Sequence, residues 1–162
     1  MRKKVVLASQ SKVRKEILHS NNIQCVAIPS NVGEDVIKNT LTKAKASPEI
    51  ISKNLAELKA NKVSLKHEDQ IVLGADSVID LEGKIISKPK NREEALKILK
   101  LLNGKSHHLI SSVCICKNGN MIWNFTDKAT LVMKNFSIKE LEDYLSQISD
   151  EALYSYNVYQ IE

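Results

Sequence analysis

Short apolar runs alternate with capped amphipathic stretches along this chain, and that alternation limits the fold more than any other feature. Val5 to Ala8 reads as a buried strand that feeds a helix from Ser11 to about Asn21, with Val13, Ile17 and Leu18 facing inward. Ile23 to Ile28 reads as a second strand ended by Pro29, and the polar stretch from Ser30 to Ala46 as an active-site loop or short helix. Ser47-Pro48-Glu49 is a helix entrance, and the helix runs to about Ser64 with Ile50, Ile51, Leu55, Leu58 and Val63 on its apolar side. "IVLGAD" (71–76) reads as a central strand ending in an aspartate, and Val78 to Ile86 as a hairpin turning at Glu82-Gly83.

The second half repeats the theme. Asn91 and Glu94 have capping-box spacing ahead of "ALKILKLL", and Gly104 stops that helix. His107 to Cys116, the turn Asn118-Gly119 and Met121 to Phe125 form a hairpin, Ala129 to Phe136 a further strand. Ser137 and Glu140 open a last helix reaching about Ile148. Hairpins beside strand–helix units mean an α/β fold with a mixed sheet.

At 162 residues the chain reads as a single domain, 1–162. Hydrophobic residues at 43% and charged ones at 27% place it with globular proteins rather than disordered or fibrous chains. No apolar run is long enough for a membrane span or a signal peptide. The three cysteines lack metal-ligand spacing, and Cys114 and Cys116 share one strand face, so reduced thiols in a cytoplasmic protein are expected. The net charge of +5 suggests an anionic partner, while aromatics at 4% leave little for base stacking. Small phosphorylated ligands therefore compete well with nucleic acid.

A strand feeding a helix aims free backbone N–H groups beyond the strand end, and Ser9, Ser11 and Arg14 stand there to complete a phosphate cradle. Ser11 also reads as a plain helix cap. Asp76 closes an apolar strand, where a carboxylate needs a partner or a metal ion; a turn aspartate is the competing reading. Glu34 sits in a polar loop, Lys59 on a helix and Lys88 ahead of Pro89, and none is informative alone. No Walker loop, GxGxxG, HExxH or GxSxG occurs, so a phosphate site would be assembled from dispersed residues.

Taken in order, "LASQSKVR" (7–14), "VGE" (32–34), "LAELKA" (55–60), "LGADSVI" (73–79), "SKP" (87–89), "LNGKSH" (102–107) and "YQIE" (159–162) resemble the Maf family of nucleoside triphosphate pyrophosphatases, the septum-formation-inhibitor proteins. The resemblance implies a Maf/ITPase-like, two-lobed α/β fold around a mixed sheet, with the nucleotide between lobes. It implies cleavage of a nucleoside triphosphate to the monophosphate and pyrophosphate with Mg²⁺ or Mn²⁺. Ser9 and Arg14 would hold phosphate oxygens, and Lys59 and Lys88 would add positive charge along the triphosphate. Glu34 and Asp76 would bind the metal, with Asp76 also orienting or deprotonating the attacking water. Glu162 stands where the family distinguishes pyrimidine from 7-methyl-GTP preference.

Departures accompany the match. Gly33 stands where members often carry a second acid, Ser77 and Ser111 replace threonines, and Tyr156, Asn157 and Val158 replace small residues around a glycine. Glu162 points to 7-methyl-GTP, whereas "GADS" and "LNGKSH" point to dTTP or UTP. Family members usually continue about thirty residues further, so a chain ending at Glu162 is expected to leave an apolar sheet edge for a partner to cover. Homodimerisation is an expectation from the family; no residue pattern locates an interface. Two other readings stand beside the enzyme: a catalytically weakened nucleotide-binding or division-regulating protein, and a basic nucleic-acid binder, which scattered lysines and few aromatics disfavour.

Overall fold

The computed structural model describes residues 4–159, without the side chains of Ser155 and Tyr156. Strand β1 (Val5–Leu7) leads into helix α1 (Lys12–Ser20), and Ser11 caps that helix by accepting the Arg14 amide at 3.3 Å. β2 (Cys25–Ala27) lies parallel to β1, and α2 (Glu34–Lys43) forms in the stretch read as a loop or short helix. α3 (Pro48–Ser64) starts at the Ser47 cap, with Pro48 in the first turn. β3 (Val72–Leu81) and β4 (Lys84–Ile86) make the expected hairpin, with positive φ at Glu82 and Gly83.

α4 (Arg92–Leu102) is capped by Asn91, and Gly104 follows it at φ +68°. β5 (Ser106–Lys117) turns at Asn118-Gly119, both with positive φ, into β6 (Asn120–Val132). α5 (Ile138–Gln147) opens with the complete Ser137–Glu140 capping box, and α6 (Asp150–Tyr156) follows. The strands form one mixed sheet in the order β2-β1-β3-β5-β6, with β4 on β3; β1 is parallel to β2 and β3, and β4 antiparallel to β3.

The chain divides into two compact units, Met1–Ser77 with Ile110–Lys128 and Val78–Leu109 with Ala129–Glu162. The first has a core of small and branched residues, among them Val6, Ala56, Ala60, Val72, Cys114 and Cys116. The second buries larger side chains from α4, α5 and α6, including Leu99, Leu102, Leu141 and Leu153. Among the described residues, no helix is long and apolar enough to cross a membrane.

Five expectations need correction. α1 buries no residue fully, and Ile17 is 55% exposed. On α3, Ile50 and Leu58 face outward while Ser52 and Lys59 are buried, because the small residues Ala56 and Ala60 set the face that meets β3. β3 does not end at Asp76 but continues to Leu81: an acid in mid-strand is tolerated when a cation meets it. β6 is one strand rather than two, since nothing between Asn120 and Val132 breaks an extended backbone. α6 has a clear Ser149 cap, yet it falls where no helix was expected.

Candidate active site

Helix α3 lies unusually close to β3. A Cβ added at Gly74 would collide with the Ala56 carbonyl and stand 2.7 Å from the Ala60 amide, so only glycine permits this contact. The approach carries Lys59, one turn along the helix, to Asp76 in the strand. Lys59 Nζ donates to Asp76 Oδ1 at 2.8 Å and pairs with Glu34 Oε1 at 2.9 Å. It also reaches the Ala75 carbonyl at 3.5 Å. Lys59 is 4% exposed and Asp76 3%, so each charge depends on the other to offset its desolvation.

Glu34 arrives by a different route. It is the first residue of α2, where its charge faces the positive end of the helix. Gly33, in place of a second acid, occupies the N-cap and offers no side-chain cap bond.

Ser9 and Arg14 join the same unit from the β1–α1 junction. Ser9 Oγ accepts from the Ser11 amide at 3.1 Å and from Arg14 Nη1 at 3.3 Å. Burial pushes the Arg14 guanidinium below its ordinary value, while the charges of Asp76 and then Glu34 pull it back up. Five of the expected site residues, Ser9, Arg14, Glu34, Lys59 and Asp76, are thus linked by hydrogen bonds, ion pairs or the field at Arg14.

Lys88 belongs to the other unit. It lies between β4 and α4, in a shallow groove with Ser87, Lys90, Glu94 and Lys97. Glu162 lies outside the described residues.

Asp76 Oδ2 is buried and has no hydrogen-bond partner, while its sister oxygen is held by Lys59. An acceptor left in this state is costly unless a cation or a proton donor completes it. Carboxylate oxygens are hard donors of the kind Mg²⁺ and Mn²⁺ prefer, so Glu34 and Asp76 fit such an ion. Among the described residues no group of three or more His, Cys, Asp or Glu side chains gathers that could hold a metal ion.

Sequence reasoning passed over Ser52 and the close contact at Gly74. Ser52 is buried on α3, and its hydroxyl donates to the Asp76 carbonyl at 3.1 Å. A polar residue on the inward face of a helix, and a glycine inside a strand, were the available signals.

Comparison with known proteins identifies the family. The Maf-like protein family matches residues 4–162. A nucleoside triphosphate pyrophosphatase of Pelagibacter ubique is 67% identical over 162 residues, covering all of this chain and 83% of that protein. A Ruegeria protein of the same name is 36% identical over 158 residues, or 98% of this chain and 79% of its own length. A HAM1 protein from Coxiella burnetii is similar in structure at a TM-score of 0.45 and 15% identity, over 79% of this chain and 70% of that one. The chain therefore belongs to the Maf family.

Proposed function

We propose that this protein is a nucleoside triphosphate pyrophosphatase that hydrolyses its substrate to the nucleoside monophosphate and pyrophosphate with the help of a divalent cation. The observation that carries the reading is the buried, unpartnered Oδ2 of Asp76, beside an ammonium and a second carboxylate. The names of the relatives support the reaction class. A triphosphate brings about four negative charges at neutral pH, which suits a site holding Arg14 and Lys59.

In this reading Arg14 and Ser9 hold phosphate oxygens, and Lys59 stabilises charge that develops as the anhydride opens. Water adds across the bond between the α and β phosphoryl groups, and Asp76 Oδ2 orients it and takes its proton. The nucleoside monophosphate and pyrophosphate then separate. A divalent ion on Glu34 and Asp76 would polarise the phosphoryl oxygens. Lys88 and Glu162 enter from the family resemblance alone, Lys88 as charge for the triphosphate and Glu162 as a reader of the base.

By the family resemblance Glu162 points to 7-methyl-GTP, whereas "GADS" and "LNGKSH" point to dTTP or UTP, so a panel must include both. The test is pyrophosphate release from dTTP, UTP, CTP, GTP and 7-methyl-GTP with Mg²⁺ or Mn²⁺. Release that Asp76→Asn lacks, in a variant that stays folded, is the expected result. Near-normal activity in Asp76→Asn would remove its assigned role. Gly33 at the α2 N-cap favours a second reading, a nucleotide-binding protein of weakened catalysis, and silence across the panel from folded wild type would select it.

A further inference from the structure

Ser52 is fully buried at the contact between α3 and β3, and it shares the inward row of the helix with Ala56 and Ala60. At that row alanine would pack and favour the helix better, and burying a hydroxyl costs free energy unless it is bonded. A serine inside a helix commonly bonds back to its own preceding turn. Here the hydroxyl instead crosses to the strand and donates to the Asp76 carbonyl at 3.1 Å. Lys59 Nζ reaches the preceding carbonyl, Ala75, from the same helix. Two successive strand carbonyls, of Ala75 and Asp76, are thus held by side chains of α3, beside a carboxylate whose buried Oδ2 has no hydrogen-bond partner.

We infer that Ser52 is a positioning residue for Asp76: its hydrogen bond fixes the Asp76 main chain so that Oδ1 stays on Lys59 while Oδ2 remains available for the reaction. Gly74 sets how close the helix comes, and Ser52 sets where along the strand the acid is held. The inference rests on the pyrophosphatase reading for its catalytic consequence, though not for the geometry.

The test compares Ser52→Ala with Ser64→Ala. Ser64 is another fully buried serine of α3, bonded to the Asn61 carbonyl and the Gly119 amide rather than to Asp76. Ser52→Ala should lower kcat about tenfold with KM changed less than about twofold, because misplacement of a reacting group acts on the transition state. Ser64→Ala should lose thermal stability to a similar degree yet keep kcat within about twofold of wild type. A second readout needs no turnover: ¹⁵N NMR of the Lys59 ammonium, protected by its bonds in wild type and Ser64→Ala, should broaden in Ser52→Ala. Wild-type kcat in Ser52→Ala, equal losses in both variants, or an unchanged Lys59 signal would overturn the inference. If wild type releases no pyrophosphate from any triphosphate, the pyrophosphatase reading fails instead, and the Lys59 signal alone decides the positioning role.

Discussion

The Lys59–Asp76 ion pair of the first unit and the segment Asn157 to Tyr159 of the second both keep polar groups in buried surroundings, by opposite means. At the ion pair, regular elements supply the partners: a helix and a strand touch backbone to backbone at Gly74, and Lys59 meets Asp76 across that contact. The second place is irregular chain held by side-chain hydrogen bonds. Asn157 Nδ2 donates to the Ile86 carbonyl at 3.4 Å, and its Oδ1 accepts the Val158 amide at 2.8 Å. Tyr144 donates to the Val158 carbonyl at 2.9 Å, and the Tyr159 hydroxyl lies 2.7 Å from His107 Nε2. Asn157 itself stands at φ +77° and ψ −164°, a region that glycine adopts far more easily.

The contrast teaches that the first place should break under changes of volume and charge, and the second under changes of pH. Lys59→Met should have the largest effect, because it leaves a buried carboxylate without its cation. A loss of about 3–5 kcal/mol in denaturant unfolding is expected, most of it regained in the double variant Lys59→Met/Asp76→Leu. No recovery in the double variant would show that packing, not charge, dominates there.

Gly74→Ala comes next. The new methyl meets helix backbone rather than a flexible side chain, so α3 must retreat from β3. About 1–3 kcal/mol of stability should be lost, and turnover should fall with it as Lys59 and Asp76 separate. A variant of normal stability and activity would mean the contact is not what sets the pair.

At the second place pH acts through His107 and Tyr159. Burial lowers the pKa of His107, with the Lys105 backbone opposing and the neighbouring His108 adding to the shift. The unfolded chain takes up a proton near pH 6.5 and the folded protein only at lower pH, so this contribution is complete above about pH 6.5 and is lost as pH falls through the folded value. Unfolding midpoints measured from pH 8 to 5 should therefore drop on the acid side, and His107→Gln should flatten the drop. At the alkaline end, burial pushes the Tyr159 phenol up to about 12, so stability should also decline above about pH 10 as the unfolded tyrosine ionises.

The smallest change is expected from Asn157→Gly. Relief of the backbone and loss of the two side-chain bonds oppose each other, leaving a net shift below about 1 kcal/mol. A larger loss would show that the bonds to Ile86 and Val158 outweigh the strained backbone.

Much of the helical framework was legible in the residues. Ser11, Ser47, Asn91 and Ser137 each accept the amide three residues on, as their spacing indicated, because a cap depends only on its own first turn. The hairpin turns at Glu82-Gly83 and Asn118-Gly119 were legible for a similar reason, positive φ at both positions. The candidate site was legible as a set of residue types through the family motifs, but not as an arrangement. Asp76 was expected at a strand end because the apolar run stops there, and nothing nearby in the chain announces the lysine that lets the strand carry a buried acid.

Sequence by itself determined the capped starts of α1, α3, α4 and α5, the two hairpin turns, the mixed α/β class and the family, since periodicity, caps and motif order are properties of neighbouring residues. Only the tertiary structure decided that Lys59 is buried rather than solvated, that Asp76 lies within β3, and that Ser52 serves the strand instead of its own helix. Lys59 and Asp76 are 17 positions apart and Ser52 and Asp76 24, and the free energy of burying any of them depends on the partner met across that distance.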